Sequence, residues 1–254
     1  MNTPYKPNKE IKNCIPKSDE VLTHGETSVA DIGIVIMASG EGKRFGSNKL
    51  LALLSEKPLI QYILDTTNHV PLRVVVTKYP EIAALCEKQD IPCILHDYPN
   101  RNDTIRLGVT YLEAAYFEKN STPLPGIMFC QGDQPLLSKD TLQRFVQEAC
   151  RHKRAFILQS KATSEENETA KSCVQFETNE TVSGYMQSDV RFGSPVCFSS
   201  HFFQALKTLP KGKGGRILIQ SNPDKLFPIP VSPQELLDVD TPTDLIEISK
   251  YLSL

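Results

Sequence analysis

The sequence lacks the features of a membrane, secreted or nucleic-acid-binding protein. No segment reaches the roughly 18 apolar residues that a membrane-spanning helix needs, and residues 1–30 contain no apolar stretch typical of a secretory signal. Its 28 Lys and Arg residues against 30 Asp and Glu residues give a net charge of -2, without the basic excess of a nucleic-acid binder. We therefore expect a cytoplasmic protein with no membrane or nucleic-acid partner, whose anion-binding groups are local.

The seven cysteines contain no C-x-x-C pair. They are scattered along the chain and mostly lie within apolar runs, so they predict neither a disulfide framework nor a zinc site. This pattern is typical of a reducing compartment.

The chain divides into a tail and one folded domain. Residues 1–30 are polar and contain Pro4, Pro7 and Pro16, which predicts a flexible N-terminal extension. Residues 31–254 follow as one domain, since a hydrophobic content of 40% is enough for an ordinary core.

Short apolar runs alternate with segments of helical periodicity. Residues 32–38 are rich in β-branched side chains, which predicts a strand buried on both faces. Further strands are predicted at 73–77, 92–96, 126–130, 155–159, 172–176, 195–199 and 226–230, and helices at 58–67, 81–89, 104–118, 139–150 and from Pro242 onward. Ser138 is the predicted N-cap of the fourth helix. This order indicates βαβ units and an α/β fold with a mostly parallel sheet, in which some later strands run antiparallel.

The segment that follows the first strand, residues 37–49, has the sequence MASGEGKRFGSNK. It combines three glycines with three cationic residues: Gly40, Gly42, Gly46, Lys43, Arg44 and Lys49. The glycines let backbone N–H groups turn toward a ligand, and ligands of open α/β sheets bind beyond the carboxyl ends of the strands. The segment therefore predicts a polyphosphate site.

The loop allows three other interpretations. A Walker A loop requires G-x-x-x-x-G-K-[ST], but Arg44 follows the Gly42-Lys43 pair and Ser47 follows Gly46. A dinucleotide fingerprint requires G-x-G-x-x-G, whereas these glycines are spaced G-x-G-x-x-x-G. A plain turn with solvated charges stays open, although three glycines and three cations are more than a turn requires.

The loop resembles the L-A-[AG]-G-x-x-x-R-[FM]-G-x-x-K signature of the MobA-like NTP transferases and, within them, of the molybdenum cofactor cytidylyltransferases. The resemblance extends over about residues 31–252. It implies a three-layer α/β/α, Rossmann-like nucleotide-diphospho-sugar transferase fold, so that residues 31–254 would be a nucleotidyltransferase domain. Ser39 stands where cytidylyltransferases have Ala and guanylyltransferases have Gly, which leaves the base undecided. The implied nucleotide-binding residues are Ala38, Ser39, Gly40, Gly42, Lys43, Arg44, Lys49, Arg101, Thr104 and Gly132.

Two aspartates are candidate ligands of a magnesium ion, which prefers carboxylate and phosphate oxygens. Asp133 follows an apolar strand in Gly-Asp-Gln-Pro, which resembles the family's G-D-[MQ]-P motif. Asp240, preferred here over Asp238, lies in a segment that resembles the family's D-[IV]-D-T-P ending. The alternative for each of Asp133 and Asp240 is a capping role at the helix that follows.

Later motifs concern the nucleotide and the acceptor. Residues 101–108, RNDTIRLG, resemble the family's R-x-x-S-[VI]-x-x-G motif, in which Thr104 replaces serine. Asp103 or Thr104 is also a candidate helix N-cap. The implied acceptor-binding residues are Gly193, Ser194, Gly215 and Arg216. The last two open a predicted helix and form a candidate anion site.

The sequence offers no nucleophile–base pair, since the five histidines lie apart and no catalytic serine or cysteine motif surrounds them. The predicted reaction does not need one. A phosphomonoester is largely ionised at neutral pH and can attack the α-phosphorus of a nucleotide directly. Arg44, Lys49 and Asp133 are therefore the candidate catalytic residues. The resemblance implies CTP and a molybdopterin-type phosphorylated acceptor as substrates, and a molybdoenzyme or its maturation chaperone as partner. The alternatives are a guanylyltransferase, a sugar- or alditol-phosphate nucleotidyltransferase, and a non-catalytic module that binds and delivers the cofactor.

Overall fold

A computed structural model describes residues 32–40, 42, 44–152, 154–163 and 190–252. In these residues the strands are β1 Ile32–Ala38, β2 Leu53–Leu54, β3 Lys57–Pro58, β4 Arg73–Thr77, β5 Cys93–Leu95, β6 Gly126–Gln131, β7 Ile157–Thr163, β8 Val190–Ser199 and β9 Leu226–Pro230. The α-helices are α1 Leu59–Thr66, α2 Pro80–Glu87, α3 Arg101–Asn120, α4 Lys139–Arg151, α5 Phe203–Lys207, α6 Arg216–Ser221 and α7 Pro242–Leu252. Within this part of the chain, no helix is both long enough and apolar enough to cross a membrane.

Seven strands form one mixed sheet in the order β5-β4-β1-β6-β8-β7-β9. Every neighbouring pair is parallel except the two that involve β8, which runs antiparallel to both β6 and β7. Strand β1 lies near the centre, and the side chains on both of its faces are buried. The predicted mostly parallel α/β sheet with an antiparallel later strand is confirmed.

Helices cover both faces of the sheet and create two hydrophobic cores. Helices α1, α2, α4 and α7 pack on the face that carries Ile34 and Ile36. Helices α3 and α5 pack on the opposite face, which carries Val35 and Val74. The fold therefore has the three layers that the family resemblance implied.

Most predicted elements are present, with shifted ends. Ser138 caps α4 as predicted, because its hydroxyl accepts a hydrogen bond from the N–H of Thr141 at 3.1 Å. The candidate N-caps Asp103 and Thr104 are wrong, since α3 begins earlier, at Arg101. The strand expected from residue 155 begins at Ile157. The predicted strand at 172–176 and the N-terminal extension lie outside the described residues.

Gly108 sets how closely helix α3 approaches the sheet. A Cβ atom at this position would lie 2.7 Å from both Cγ atoms of Val35, a stiff β-branched side chain buried in β1. Glycine is a poor helix former, but it is required at this position because the sheet leaves no space for a methyl group. This contact fixes α3, whose first turn contributes to the site described below.

Replacing Gly108 with Ala is expected to lower the free energy of unfolding by about 1–3 kcal/mol, because overpacking against Val35 outweighs the better helix propensity of alanine. Chemical denaturation followed by circular dichroism measures the change. Thr110→Ala, at an exposed position of the same helix, is the control and should shift stability by less than about 0.5 kcal/mol. A Gly108→Ala protein as stable as the parent would contradict the close approach.

Candidate active site

The carboxyl ends of the central strands open into a cavity of about 680 Å³, hereafter the first cavity. Open α/β sheets bind their ligands at this edge. Eight residues predicted from the sequence line the cavity: Ser39, Gly40, Arg101, Thr104, Asp133, Gly193, Ser194 and Asp240. The topology thus brings together motifs that are about 200 residues apart in sequence.

Backbone hydrogen bonds place Asp133 at the edge of the sheet. The N–H of Gly132 donates to the carbonyl of Met37 at 3.0 Å, which joins the ends of β6 and β1. The carbonyl of Asp133 accepts from the N–H of Val239 at 3.0 Å. The Asp133 carboxylate is therefore held between the first strand and the segment that leads to α7. Because Ser138 caps α4, the capping alternative for Asp133 is wrong.

Lys49 lies between two carboxylates. Its Nζ is 2.6 Å from Oδ2 of Asp133 and 2.9 Å from Oδ1 of Asp240, and its side chain is only 9% exposed. Removing an ammonium group from water costs several kcal/mol unless counter-charges and hydrogen bonds offset the loss. The two aspartates supply both, so Lys49 stays charged at the end of the loop that follows β1.

Arg44 completes the cluster from the solvent side. One of its terminal nitrogens donates to Oδ2 of Asp240 at 2.6 Å, and its side chain is 70% exposed. Such a pair adds little to stability because water competes for both groups. Arg44, Lys49, Asp133 and Asp240 are called the charge cluster below. Arg44 is thus held beside Asp240, and a phosphate group could replace this carboxylate as its partner.

Asp240 is not a helix cap. Its carboxylate faces Arg44 and Lys49, whereas Asp244 accepts hydrogen bonds from the N–H groups of Asp240 and Thr241 at 2.8 and 2.7 Å. The capping alternative for Asp240 is therefore wrong. Thr241 caps α7, since its hydroxyl oxygen accepts from the N–H of Asp244 at 3.3 Å, and the Asp244 carboxylate fixes the backbone that carries Asp240.

The charges in this cluster shift one another's protonation. Burial alone would lower the pKa of Lys49, but Asp133 and Asp240 more than offset it and raise that pKa. The pKa of Asp240 is lowered, because hydrogen bonds and charge from Lys49 and Arg44 overcome the effect of burial. Reduced hydration in the cavity and repulsion by the other two aspartates raise the pKa of Asp238 to about 6. Asp238 lines the same cavity, so three carboxyl groups border it.

The carboxylates of Asp133 and Asp240 fit a hard divalent cation, because both already converge on one positively charged atom, Nζ of Lys49. Oxygen ligands of this kind are what magnesium and manganese take from proteins. Among the described residues, no group of three or more His, Cys, Asp or Glu side chains is arranged to hold a metal ion. A cation here would complete its coordination with oxygens of the ligand or water.

The loop that follows β1 is described except for Glu41 and Lys43, so the prediction for Lys43 falls outside the described residues. Gly42 has a φ of 55°, and a Cβ there would lie 2.8 Å from the carbonyl oxygen of Ser47, so this turn requires glycine. Ala38 does not line the cavity. It is fully buried, and its carbonyl accepts the hydroxyl proton of Thr77 at 2.9 Å.

His96 contacts two residues that line the first cavity, although the sequence offered no reason to choose it. Its Nε2 lies 3.0 Å from Oγ of Ser39 and 3.4 Å from Oγ1 of Thr104, and its Nδ1 accepts from the N–H of Tyr98 at 3.2 Å. Burial and the charge of Lys78 lower the pKa of His96, so the ring is neutral at neutral pH. This serine–histidine contact joins residues 57 positions apart.

A second cavity of about 940 Å³ adjoins the first. The two share a wall formed by Met37, Arg101, Gln131, Phe192, Gly193 and Ser194. The second cavity has an apolar floor of Ile105, Phe129, Val196 and Phe198, and Lys213 and Arg216 add positive charge. It has room for a bulky ligand that carries an anionic group.

The start of α3 and the segment around residues 212–216 contact each other at this second cavity. The N–H of Gly212 donates to Oδ1 of Asn102 at 2.9 Å, and a Cβ at Gly214 would lie 3.5 Å from Arg101. The predicted acceptor residues Gly215 and Arg216 open α6 as expected. Helix α6 has only six residues, so the cationic side chains, rather than the helix terminus, provide the positive field.

Glu235 fixes the segment that carries the acidic residues. It is buried, and its carboxylate accepts from the N–H and hydroxyl of Ser138 at 3.0 and 2.6 Å and from the N–H of Ser232 at 3.1 Å. These hydrogen bonds lower its pKa although burial opposes the shift. The capping-box spacing of Ser232 and Glu235 was the sequence signal that could have identified this role.

A family model for the MobA-like NTP transferase domain matches residues 34–226. A curated relative, the bifunctional protein GlmU of Thermodesulfovibrio yellowstonii, is 31% identical over 121 residues, which are 45% of this chain and 25% of GlmU. The similarity thus spans only a quarter of the length of that relative.

Solved structures share the fold at lower sequence identity. Rv0371c from Mycobacterium tuberculosis H37Rv, in complex with manganese, superposes with a TM-score of 0.59 at 18% identity and covers 87% of this chain and 99% of its own. CMP:2-keto-3-deoxy-manno-octonic acid synthetase complexed with CTP gives a TM-score of 0.63 at 15% identity and covers 88% and 99%. These similarities confirm the predicted nucleotide-diphospho-sugar transferase fold.

Glu235→Gln is expected to reduce stability most at neutral pH, by about 1–3 kcal/mol, since it removes a charge-assisted acceptor. The pKa of Glu235 is lower in the folded state than in the unfolded state, where it is about 4.3. The ionised carboxylate therefore stabilises the fold above the unfolded pKa, and this stabilisation is lost as pH falls through the folded pKa. Calorimetric melting of both proteins from neutral to acidic pH should therefore show their difference shrinking below about pH 4. A constant difference across this range would contradict the assignment.

Asp240→Asn should release Arg44 and part of the charge of Lys49. Without divalent ions, the variant is expected to bind inorganic tripolyphosphate about tenfold more tightly than the parent, a change of about 1.4 kcal/mol. Titration calorimetry in a chelator measures this. Asp65→Asn removes the same charge from a distant pair with Lys57 and should leave the affinity unchanged. Equal gains in both variants would indicate only a general charge effect.

Proposed function

The chain belongs to the family of MobA-like NTP transferase domains, and on that premise we propose that it transfers CMP from CTP to the phosphate of a molybdopterin-type acceptor and releases pyrophosphate. Nucleotidyl transfer follows from the family. The nucleotide, the acceptor and the metal ion are the parts that we propose. The charge cluster at the carboxyl ends of β1 and β6 carries the proposal.

The charge cluster suits the triphosphate because it holds two cations against the two carboxylates that line the first cavity. Arg44 is mostly exposed and Lys49 is mostly buried. Arg44 can therefore turn from Asp240 to a phosphate oxygen at little cost, while Lys49 keeps its position. A pre-positioned cation stabilises charge that develops on a leaving pyrophosphate without further reorganisation.

The second cavity supports a bulky phosphorylated acceptor. Its volume of about 940 Å³ and apolar floor suit a fused ring system, and Arg101, Lys213 and Arg216 provide positive charge for a phosphate. Arg101 lines both cavities. An acceptor phosphate near Arg101 would therefore lie at the boundary with the nucleotide, which is the position that transfer requires.

The reaction forms one phosphorus–oxygen bond and breaks another. An oxygen of the acceptor phosphate attacks the α-phosphorus, and the bond between that phosphorus and the bridging oxygen of the β-phosphate breaks, so pyrophosphate leaves with the electron pair. The second pKa of a phosphomonoester is about 6, so the attacking oxygen is already unprotonated at neutral pH. The protein has to align the two phosphates and reduce their repulsion.

Asp133 and Asp240 are the proposed ligands of Mg²⁺. A bound divalent ion would supply positive charge to the phosphate oxygens. Arg44 and Lys49 remain on the same edge to bind the outer phosphates. The complex of Rv0371c with manganese supports a divalent ion in a protein of this fold, and the complex of the octonic acid synthetase with CTP supports a cytidine nucleotide.

We further propose that the reaction takes place in the cytoplasm, where the cysteine side chains would stay reduced. The product would be handed to a molybdoenzyme or its maturation chaperone.

Asp133→Asn is expected to lower the rate of pyrophosphate release from CTP at least about 100-fold at saturating Mg²⁺, because one charged ligand is lost while the shape is kept. A coupled pyrophosphate assay with molybdopterin as acceptor measures it. Asp90→Asn is the control, since Asp90 is exposed and has a positive φ that asparagine also adopts. Near-normal turnover of Asp133→Asn would reject the metal-binding role.

The same assay with each of the four nucleotides and with sugar phosphates as acceptors tests the substrates. Mass spectrometry should identify a cytosine dinucleotide of molybdopterin. A guanine dinucleotide, or transfer to a sugar phosphate, would replace our assignment within the same reaction class. Binding of molybdopterin without release of pyrophosphate from any nucleotide would indicate a delivery module.

A further inference from the structure

Two cysteines that no sequence motif joins lie on the two sides of one turn. Cys86 is in the last turn of α2, and Cys93 begins β5. The carbonyl of Cys86 accepts from the N–H of Ile91 at 3.0 Å, and the carbonyl of Pro92 accepts from the N–H of Val75 at 2.9 Å. These hydrogen bonds fold the turn back on α2 and attach its end to β4. The thiols of Cys86 and Cys93 are hydrogen-bonded to each other, and they are called the thiol pair below.

The two members of the thiol pair differ in their access to solvent. Cys86 is 0% exposed and belongs to the core beneath α2. Cys93 packs against the same core but is only partly buried. A small oxidant dissolved in water can therefore reach the sulfur of Cys93, whereas it cannot reach Cys86 directly.

Arg73 places a fixed positive charge beside the thiol pair. Its guanidinium donates to the carbonyl of Leu64 at 2.6 Å and to Oγ1 of Thr67 at 3.0 Å, and an arginine stays protonated in proteins. The hydrogen bond with Cys93 and the charge of Arg73 lower the pKa of Cys86, although burial opposes the shift. The thiolate is the nucleophilic form of cysteine, so the thiol pair has the environment of a reactive cysteine.

A second pair of neighbouring cysteines in the same sheet has the opposite environment. Cys130 in β6 and Cys197 in β8 are both 0% exposed. Burial raises the pKa of Cys130 to about 12 and also raises that of Cys197. Cysteines buried in apolar surroundings stay protonated and inert. These two residues are therefore an internal reference against which the reactivity of the thiol pair can be measured.

We propose that Cys86 and Cys93 form a redox-active dithiol, which hydrogen peroxide oxidises to a disulfide and a small-molecule thiol reduces again. The proton in the thiol–thiol hydrogen bond can move to Cys86 as the Cys93 sulfur attacks a peroxide oxygen. The O–O bond breaks, hydroxide leaves, and Cys93 becomes a sulfenic acid. Cys86 then loses its proton, its thiolate attacks the Cys93 sulfur, and the S–O bond breaks with loss of a second hydroxide. The two thiol protons convert both hydroxides to water, so the thiols lose two electrons and the peroxide gains them.

The proposal agrees with a reducing compartment. Disulfides that form there are mostly transient and arise in response to an oxidant, and the thiol pair would be reduced until a peroxide appears. The inference does not depend on nucleotidyl transfer, because no residue of the charge cluster takes part in it.

The test maps disulfides in the full chain by mass spectrometry. The protein is treated with hydrogen peroxide at neutral pH, the remaining thiols are alkylated in mild acid, and tryptic peptides are compared before and after reduction with dithiothreitol. Trypsin cuts after Lys88, so Cys86 and Cys93 fall in the separate peptides 79–88 and 89–101. We expect these two peptides to be joined after peroxide treatment and to separate on reduction.

The linked fraction of the thiol pair should exceed that of Cys130 and Cys197 at least about tenfold, because a thiol with a raised pKa holds far less thiolate at neutral pH. Circular dichroism before and after treatment checks that the protein stays folded. Equal linkage of both pairs would overturn the proposal. So would a thiol pair that stays reduced while other cysteines oxidise, or a link that forms only in urea. This comparison uses the parent protein and needs no variant to fold.

Single substitutions test the order of the two steps. Cys86→Ser should abolish the link and leave Cys93 as a sulfenic acid that dimedone traps. Cys93→Ser should leave Cys86 unmodified, because the core shields it. Cys150→Ser, at a partly buried cysteine near the end of α4, is the matched control and should leave the link unchanged. Dimedone labelling of Cys86 in Cys93→Ser at the rate seen for Cys93 in Cys86→Ser would overturn the proposed roles of the two thiols.

Discussion

The position of Lys49 between Asp133 and Asp240 is the interaction on which the rest of the site depends. It joins the loop after the first strand to a segment 191 residues away, so two distant parts of the chain form one edge of the cavity. A buried ammonium group is stable only while both carboxylates remain close. The same constraint holds the two aspartates, the lysine and the exposed Arg44 close together. A polyphosphate could there replace the aspartates as the partner of the cations, and a metal ion could replace the cations as the partner of the aspartates.

The scaffold limits how far these groups can move. The N–H of Gly132 donates to the end of β1, and the carbonyl of Asp133 accepts from the N–H of Val239. Glu235 attaches the segment that leads to Asp240 to the start of α4. Buried hydrogen bonds of this kind are expensive to leave unmade, so the carboxylates are held by the fold and not by their salt bridges alone. Ligand binding can therefore change the partners of Arg44 without moving Asp133.

The sequence predicted the elements and the motifs better than their contacts. β1 and β6 were recognisable because strands buried on both faces are continuous apolar runs. The start of α3 was misplaced because Asp103 and Thr104 resemble caps as much as Asn100, the residue that directly precedes the helix, and only tertiary packing decides between them. The contact of Ser39 with His96 could not be predicted, since it depends on β4 lying beside β1 and β5 lying beside β4, an order that local patterns do not specify.

The antiparallel strand β8 explains why the two cavities share a wall. Because it runs against β6, β8 brings its first half, with Phe192, Gly193 and Ser194, back to the carboxyl edge of the sheet. Gly193 permits this course, since a Cβ there would lie 2.9 Å from Leu236. A strand parallel to β6 would have reached the carboxyl edge of the sheet only with its last residues. The reversal of this one strand therefore lets the first cavity, beside the charge cluster, and the larger second cavity adjoin each other. Arg101 lines both cavities.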